Sequence, residues 1–482
     1  MPDPPVMTTP LRQNETELLR TAQALWQQGQ VESARTILEG ILAHQAGHTE
    51  AANLLATLLQ GQGQLNAASH VMASLCRHSG GDAATTFRCA QFIQQCQRQP
   101  LARVLCDEAF ARGNASAELH VLAGNIAKEL GEFDSARAHY FAALDAGIDL
   151  NAWFVLGALA TTQRYDTSAH PDFARFIAHF QNTAYSLHSR ATTGFGLAKA
   201  YDDIGDYAKA AQTLREANRL SQQAQPWSRA AWAQWLDGRM QSRALNHSLP
   251  AAPDFVPIFI VGLPRSGTTL AATQLAKHPD VRDRGEVPML NYTANHLQAG
   301  NLQHDARAWR EAAELYRRLV VQDDPRVRWY IDQDPNNFRY LDLIAALFPQ
   351  ARIIHCQRSK RDTALSIWSQ SFAQAHYGFA SDFGDIADFF RGHDRLMQHW
   401  KQRVQLPTHR LAYEDMIADP ESTLEKLKAF IGIPAMALAE ETASPSAAIT
   451  SASMWQARQP IYRSSVGRWK NYLAYVPELD QF

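Results

Sequence analysis

No stretch of this chain is long and apolar enough to span a bilayer. Its longest apolar run, FVPIFIVGL at 255–263, falls well short of the roughly 20 residues a spanning helix needs. The first residues, MPDPPVMTTPLRQNETELLR, lack the apolar centre of a secretory leader. Cysteine is scarce: Cys76, Cys89, Cys96, Cys106 and Cys356 form no CxxC pair, and their number is odd. That pattern argues against a disulfide framework and for small buried hydrophobes in a reducing compartment. Net charge is nearly absent, −2 at pH 7, so no global basic field would recruit nucleic acid. The expectation is a cytoplasmic protein without a membrane span or a nucleic-acid partner. At 482 residues the chain has room for two or three globular domains.

What is present begins with an internal period. Gly29 opens GQVESAR, Gly63 opens GQLNAAS, Gly131 opens GEFDSAR and Gly205 opens GDYAKAA. The alanines five positions on are Ala34, Ala68, Ala136 and Ala210, and Ala102 fills the vacant slot, so four of them recur every 34 residues. Gln97 stands where that third repeat should carry its glycine. Glycine suits a turn in the left-handed region, and alanine suits a close crossing of two helices. The segments ELLRTAQALWQQG and AELHVLAGNIAKELG read as amphipathic helices. This pattern resembles the tetratricopeptide repeat, which implies an all-α solenoid over 14–222, degenerate near 151–180. Such a solenoid offers a concave surface to a peptide or protein, or serves as a scaffold or dimerisation element. The proline-punctuated HSLPAAPDFVP (247–257) closes a linker expected over 223–254.

The second half turns on GLPRSGTT, 262–269. A short buried strand, PIFIVG (257–262), leads into it, and TTLAATQLAKH continues as a helix. Strand, tight loop and helix start form an anion-binding device, because helix-start N–H groups and the helix dipole favour negative charge. A nucleotide triphosphatase loop would carry Lys where Thr268 stands; here Arg265 sits inside the loop instead. Thr269 with Asp332 could imitate the metal ligands of such an enzyme, but the missing lysine counts against that reading. Further strands are expected at 327–332, 351–357 and 408–414, with helices at about 338–348, 361–375, 384–405 and 418–431. Alternation of this kind makes an α/β domain with a mainly parallel sheet over 255–482.

Arg358 follows one strand end, and Ser366 lies on the next helix. Ligands of such sheets bind beyond the carboxyl ends of the strands, so Arg358 would face the same rim as the glycine loop. It could equally pair with Asp362. His355 and Cys356 on the strand, and Trp309, Trp329 and Trp368, read as core.

The segments GLPRSGTTL, RGE (284–286), FPQARIIHCQRSKRDTALS, LAYEDMIADPE and SSVGRWKNY occur in this order behind the repeats. Together they resemble the sulfotransferases that use 3′-phosphoadenosine 5′-phosphosulfate, in particular bacterial tetratricopeptide-repeat sulfotransferases and their protein-tyrosine sulfotransferase relatives. The resemblance implies a P-loop-like fold. It implies that Arg265, Ser266, Gly267, Thr268 and Thr269 hold the 5′-phosphosulfate, and that Arg358 and Ser366 hold the 3′-phosphate. Tyr413 would lie beside the adenine, and Ser464, Ser465, Val466, Gly467, Arg468, Trp469 and Lys470 would close over the nucleotide. Glu286 would be the catalytic base and Arg265 a catalytic cation; without the family, Glu286 reads as a surface acid.

A sulfuryl group carries less negative charge than a γ-phosphoryl group, so no metal is expected to escort it and a lysine-bearing loop is not required. The acceptor would be a hydroxyl, such as a peptidyl tyrosine or another phenol or alcohol, held by the repeat surface. Relatives commonly carry Lys in the segment written here DQDPNNF, where this chain has Gln333. Lys470 or Arg284 could compensate. The alternative is a binding scaffold with a vestigial nucleotide domain. The acceptor and the oligomeric state are open at this level.

Overall fold

A computed structural model describes residues 9–241, 248–300, 302, 305–372, 374–434 and 463–482. Two compact units emerge. One contains the chain through Leu130 with Ala138–Ile148 and Arg317–Pro325; the other contains Gly131–Arg137, Asp149–Tyr316 and Arg326–Phe482.

The first unit is helical. Successive helices Thr9–Gln27, Val31–His44, Thr49–Gly61, Leu65–His78, Ala83–Gln95, Gln99–Ala111 and Ala117–Leu130 are joined by short turns. The periodic residues do what their size allows. Ala34, Ala68, Ala102, Ala136 and Ala210 are all fully buried, which is where a larger side chain would hold two helices apart. Gly29, Gly63, Gly131 and Gly205 all take positive φ, between 73° and 84°. Gln97, in the slot without glycine, adopts φ 59° all the same. The repeat thus imposes the left-handed turn on a residue that pays for it with a Cβ clash. All five cysteines are buried and unbridged.

The second unit joins helices and a sheet. Val155–Ala160 and Pro171–Gln181 are short, as the degenerate stretch suggests. Leu187–Asp203 and Tyr207–Ala224 form a long antiparallel pair, and Arg229–Gln241 is a further helix within 223–254. The strands are β1 (Val256–Gly262), β2 (Val281–Asp283), β3 (Trp329–Asp332), β4 (Arg352–Gln357) and β5 (Thr408–Ala412), in the order β2-β3-β1-β4-β5. Every neighbouring pair is parallel. β1 is central and buried throughout. One of its faces sends Ile258 and Ile260 against Ala271, Leu275, Met416, Leu427 and Ile431. The other sends Phe259 toward Tyr316 and Phe348, at ring separations of 5.8 and 6.4 Å. This alternation is the two-residue period of a strand covered on both sides. Trp309, Trp329 and Trp368 are core residues, and His355 is buried on β4.

Several boundaries differ from the sequence reading. β2 has three residues, of which only Val281 is buried, too short to show a period. The helix expected over 361–375 is Lys360–Trp368, followed by a separate turn at Ala375–Ser381. The strand expected over 408–414 ends at Ala412, where a short helix, Tyr413–Ala418, begins. The helix expected over 418–431 is Pro420–Ile431, a separate helix because Pro420 cannot donate to a preceding turn and instead starts it behind the Asp419 cap. Among the described residues no helix is long and apolar enough to cross a membrane.

Two substitutions test the repeat geometry by urea unfolding of the intact chain. Gln97→Gly should stabilise by about 1 kcal/mol, the cost of the left-handed turn. Ala102→Leu should destabilise by about 1–3 kcal/mol through overpacking. A neutral Ala102→Leu would show that the helix crossing is looser than the burial of Ala102 indicates.

Candidate functional site

Parallel pairing puts all five strand ends on one edge. Gly262 lies opposite Cys356, and Gln357 opposite Ala412. Phe259 faces Asp332, and Asp283 faces Ile331. The segments that follow the strands therefore emerge together: the glycine loop after β1, Glu286 after β2, Gln333 after β3, Arg358 after β4 and Tyr413 after β5.

The loop is tightly constrained. Arg265 takes φ 68° and Gly267, which caps the helix Thr268–Leu275, takes φ 103°. A Cβ at Gly262 would sit 2.5 Å from the Cys356 carbonyl oxygen, and one at Gly267 would sit 2.6 Å from the Tyr413 ring. Glycine at both positions lets the backbone approach its neighbours. Ser266, Thr268 and Thr269 are buried. The Ser266 hydroxyl has no hydrogen-bond partner, which is uncommon for a buried polar atom.

Arg358 binds the surrounding segments together. Its Nη1 donates to the Arg265 carbonyl at 3.1 Å and its Nη2 to the Ser465 carbonyl at 2.6 Å. Its guanidinium lies over the Tyr413 ring, 4.7 Å from the centroid. Arg265 Nε donates to the Ser366 hydroxyl at 3.1 Å. Tyr413 and Ser465 share a hydrogen bond of 2.6 Å between their hydroxyls. Arg265, Ser366, Arg358, Tyr413 and Ser465, spread over some 200 residues of sequence, thus form one network.

The expected alternative, an Arg358–Asp362 pair, gives way to a different role for the carboxylate. Buried Asp362 accepts the backbone N–H of Gly467 at 2.7 Å and of Trp469 at 3.0 Å. Gly467 has φ 76°, so the chain turns there to aim both amides at one acceptor. Arg361 stacks on the Trp469 ring at 4.5 Å. Ser464, Val466 and Lys470 are exposed along the same segment. Arg468 turns away to Asp202, at 3.0 Å. Sequence reading missed both Asp362 and Asp202 as anchors. The one available signal was the position of Asp362 in the first turn of a helix beside the strand end.

Glu286 stands at the opposite end of the rim among other acids. Its side chain is accessible, yet protein surrounds the carboxyl. Burial, with Asp334 adding, pushes it up to about 7, against the opposing pull of Arg265. Burial raises Asp283 to about 6. Burial and Asp334 raise Asp332 to about 8, although Asp332 accepts hydrogen bonds from Tyr316 Oη and from the N–H groups of Val287 and Asp334. Gln333 does not carry its amide to the glycine loop. Its Nε2 donates to Asp283 at 3.4 Å and its N–H to the Gly285 carbonyl at 2.9 Å, which secures the turn bearing Glu286. Arg284 lies over the Tyr330 ring at 5.8 Å. Among the described residues no group of three or more His, Cys, Asp or Glu side chains could hold a metal ion.

Asp362→Ala should release the segment it anchors. Losing a charge-assisted pair worth about 2 kcal/mol should speed amide exchange at Gly467 and Trp469 by about 30-fold, read by hydrogen-exchange mass spectrometry. Unchanged protection would mean that other contacts hold the segment.

Residues 257–437 match the model of the sulfotransferase family, and residues 195–223 match that of the tetratricopeptide repeat. A protein of Aquifex aeolicus described as uncharacterized is 31% identical over 319 residues, covering 61% of this chain and 41% of that protein. Protein-tyrosine sulfotransferase 1 of Danio rerio is 24% identical over 236 residues, covering 45% of this chain and 63% of its own. The chain thus spans less than two thirds of the length of either relative. Among solved structures, the sulfotransferase domain of a Synechococcus olefin synthase aligns with 50% of this chain and 98% of that domain, at 19% identity and a TM-score of 0.35.

Proposed function

We propose that this chain, which carries a sulfotransferase-family region together with a tetratricopeptide repeat, moves a sulfuryl group from 3′-phosphoadenosine 5′-phosphosulfate to a hydroxyl acceptor. The observation that carries the reading is the junction of Arg265 and Arg358 in one network beside a glycine loop. A nucleotide phosphorylated at both its 5′ and 3′ positions has two anionic ends, and two arginines on one rim, linked through the Arg265 carbonyl, suit them. The residues fit such a ligand. The buried Ser266 hydroxyl is unpartnered, and the loop has no room for a Cβ at Gly262 or Gly267.

In this reading Arg265, Ser266, Gly267, Thr268 and Thr269 bind the 5′ end, while Arg358 and Ser366 bind the 3′-phosphate. Tyr413 flanks the adenine, and 464–470 covers it. The nucleotide supplies the sulfuryl group and a departing 5′-phosphate. Arg265 and the N–H groups at the helix start stabilise charge that develops there, without reorganising. Glu286 accepts the acceptor's proton on its carboxylate. A phenol, with a pKa of about 10, gains roughly 10²–10⁴-fold from such a base. The name of the Danio relative favours a peptidyl tyrosine, and another phenol or alcohol fits the same chemistry. The repeats would present the acceptor, alone or in an oligomer, in the cytoplasm. No metal is assigned.

A second reading, a protein-binding scaffold with a vestigial nucleotide domain, draws on Gln333, whose amide turns to Asp283 and brings no charge to the leaving group. Transfer of sulfur-35 from the labelled nucleotide to phenolic and peptide acceptors decides between them. Nucleotide binding without transfer to any acceptor would favour the scaffold.

Two further outcomes follow from the residues. A base must be ionised to work. With the Glu286 carboxyl raised to about 7, the ionised fraction grows as pH rises through that value, so kcat should climb between about pH 6 and 8 and then level. Glu286→Gln should lower kcat by roughly 10²–10⁴-fold and abolish that rise. Arg358→Ala should weaken nucleotide binding by about 2–3 kcal/mol. In titration calorimetry it should also bind adenosine nucleotides equally well with and without the 3′-phosphate; a variant that keeps the wild-type preference would unseat Arg358.

A further inference from the structure

The segment that covers the proposed nucleotide site is held from two directions. Asp362, Arg358 and Tyr413 hold it from the sheet edge. The second hold comes from the helix pair Leu187–Asp203 and Tyr207–Ala224, which contains the repeat matched at 195–223. Asp202 Oδ1 accepts from Arg468 at 3.0 Å and from the Tyr472 hydroxyl at 2.5 Å. Arg468 in turn lies over the Tyr472 ring at 5.3 Å. Tyr472 is fully buried, with Tyr207 edge-on to it at 5.3 Å. Farther along, Arg215 makes a bidentate pair with Glu478 at 2.7 and 2.9 Å and donates to the Tyr475 carbonyl at 3.0 Å.

The same helix pair reaches the wall of the site. Buried Asn218 donates to the Trp368 carbonyl at 2.9 Å. Trp368 ends the helix Lys360–Trp368, which carries both Asp362 and Ser366. Asp202, Tyr207, Arg215 and Asn218 thus tie one repeat to both the covering segment and the helix beneath it. A side chain from an exposed solenoid face would have no reason to contact either. The carboxylate of Asp202 makes two charge-assisted or short hydrogen bonds to residues four apart, which fixes the rotation of the 468–472 turn as well as its position.

We propose that Asp202 is a positioning residue of the transferase: by clasping Arg468 and Tyr472 it sets the 463–472 segment over the nucleotide, so that this repeat is a working part of the site and not a detachable adaptor. Asp202 itself touches no reacting atom. It acts through the backbone of Ser465, Gly467 and Trp469, which the clasp holds in register with Arg358 and Asp362. The inference deepens the nucleotide-binding reading and rests on it for its ligand.

The test uses the full chain and the nucleotide product 3′-phosphoadenosine 5′-phosphate as the probe, with two readouts. Hydrogen exchange without ligand reports the clasp directly. Asp202→Ala should raise exchange across 463–472 at least tenfold while leaving β1 and β4 protected. Calorimetric titration should show affinity for the probe falling at least tenfold, with Asp202→Glu recovering most of it. Arg215→Ala, which cuts only the outer tie, should have a smaller effect on both and serves as the variant if Asp202→Ala does not fold. Wild-type binding retained in full by Asp202→Ala overturns the proposal. If the wild-type chain does not bind the probe, the nucleotide reading fails; exchange unchanged by Asp202→Ala then overturns the clasp as well, whereas faster exchange sustains it as a structural tie.

Discussion

A single guanidinium does the joining on which the site depends. Arg358 donates to two backbone carbonyls, one in the glycine loop and one in the C-terminal segment, and lies over an aromatic ring from a third. Arginine can do this because its donors diverge in a fixed plane while its face remains free to stack. A lysine at that position would offer a point charge and could not satisfy both carbonyls and the ring together. The arrangement also explains why the loop tolerates a left-handed Arg265. Its carbonyl is turned toward Arg358, so the strained φ is compensated by a charge-assisted hydrogen bond.

The sheet makes that meeting possible. Each crossover in a parallel sheet returns the chain to the same starting edge, so every strand ends on the same side. Segments that lie far apart in sequence are then neighbours by construction. The chain uses this to separate its charges along the rim, with arginines around the glycine loop and Asp283, Glu286, Asp332 and Asp334 toward the β2–β3 side. Protein surrounding those carboxyls withholds water from them, and Asp334 crowds two of the others. Both effects favour the protonated form. Glu286 is the most accessible of the group, and the proposed reaction gives it the proton of the acceptor.

Much of this was legible in the sequence, for identifiable reasons. The alanine period could be read because each alanine performs the same steric task, and the tertiary fold buries all of them. The order of strand-end motifs could be read because a site at the carboxyl edge requires them there. β2 could not be read, since three residues with two of them polar carry no period. The true helix limits near 368 and 419 depend on local capping and on Pro420 in ways that hydrophobic patterning does not register. Asp362 and Asp202 escaped for a different reason. Their partners lie 105 and 270 residues away in sequence, and no spacing rule connects an acid to an amide or a phenol at such separation. Gln333 looked like a loss when judged against a lysine; in the fold its amide is engaged in steadying the turn that carries Glu286.

The five buried thiols give the molecule a pair of internal gauges. Cys76, Cys89, Cys96 and Cys106 are sealed inside the helical array, and Cys356 is sealed within the central sheet. A thiol reagent reaches them only when the packing around them opens. The rate at which each group becomes modified therefore records, in one unaltered chain, how readily the array and the sheet come apart from within.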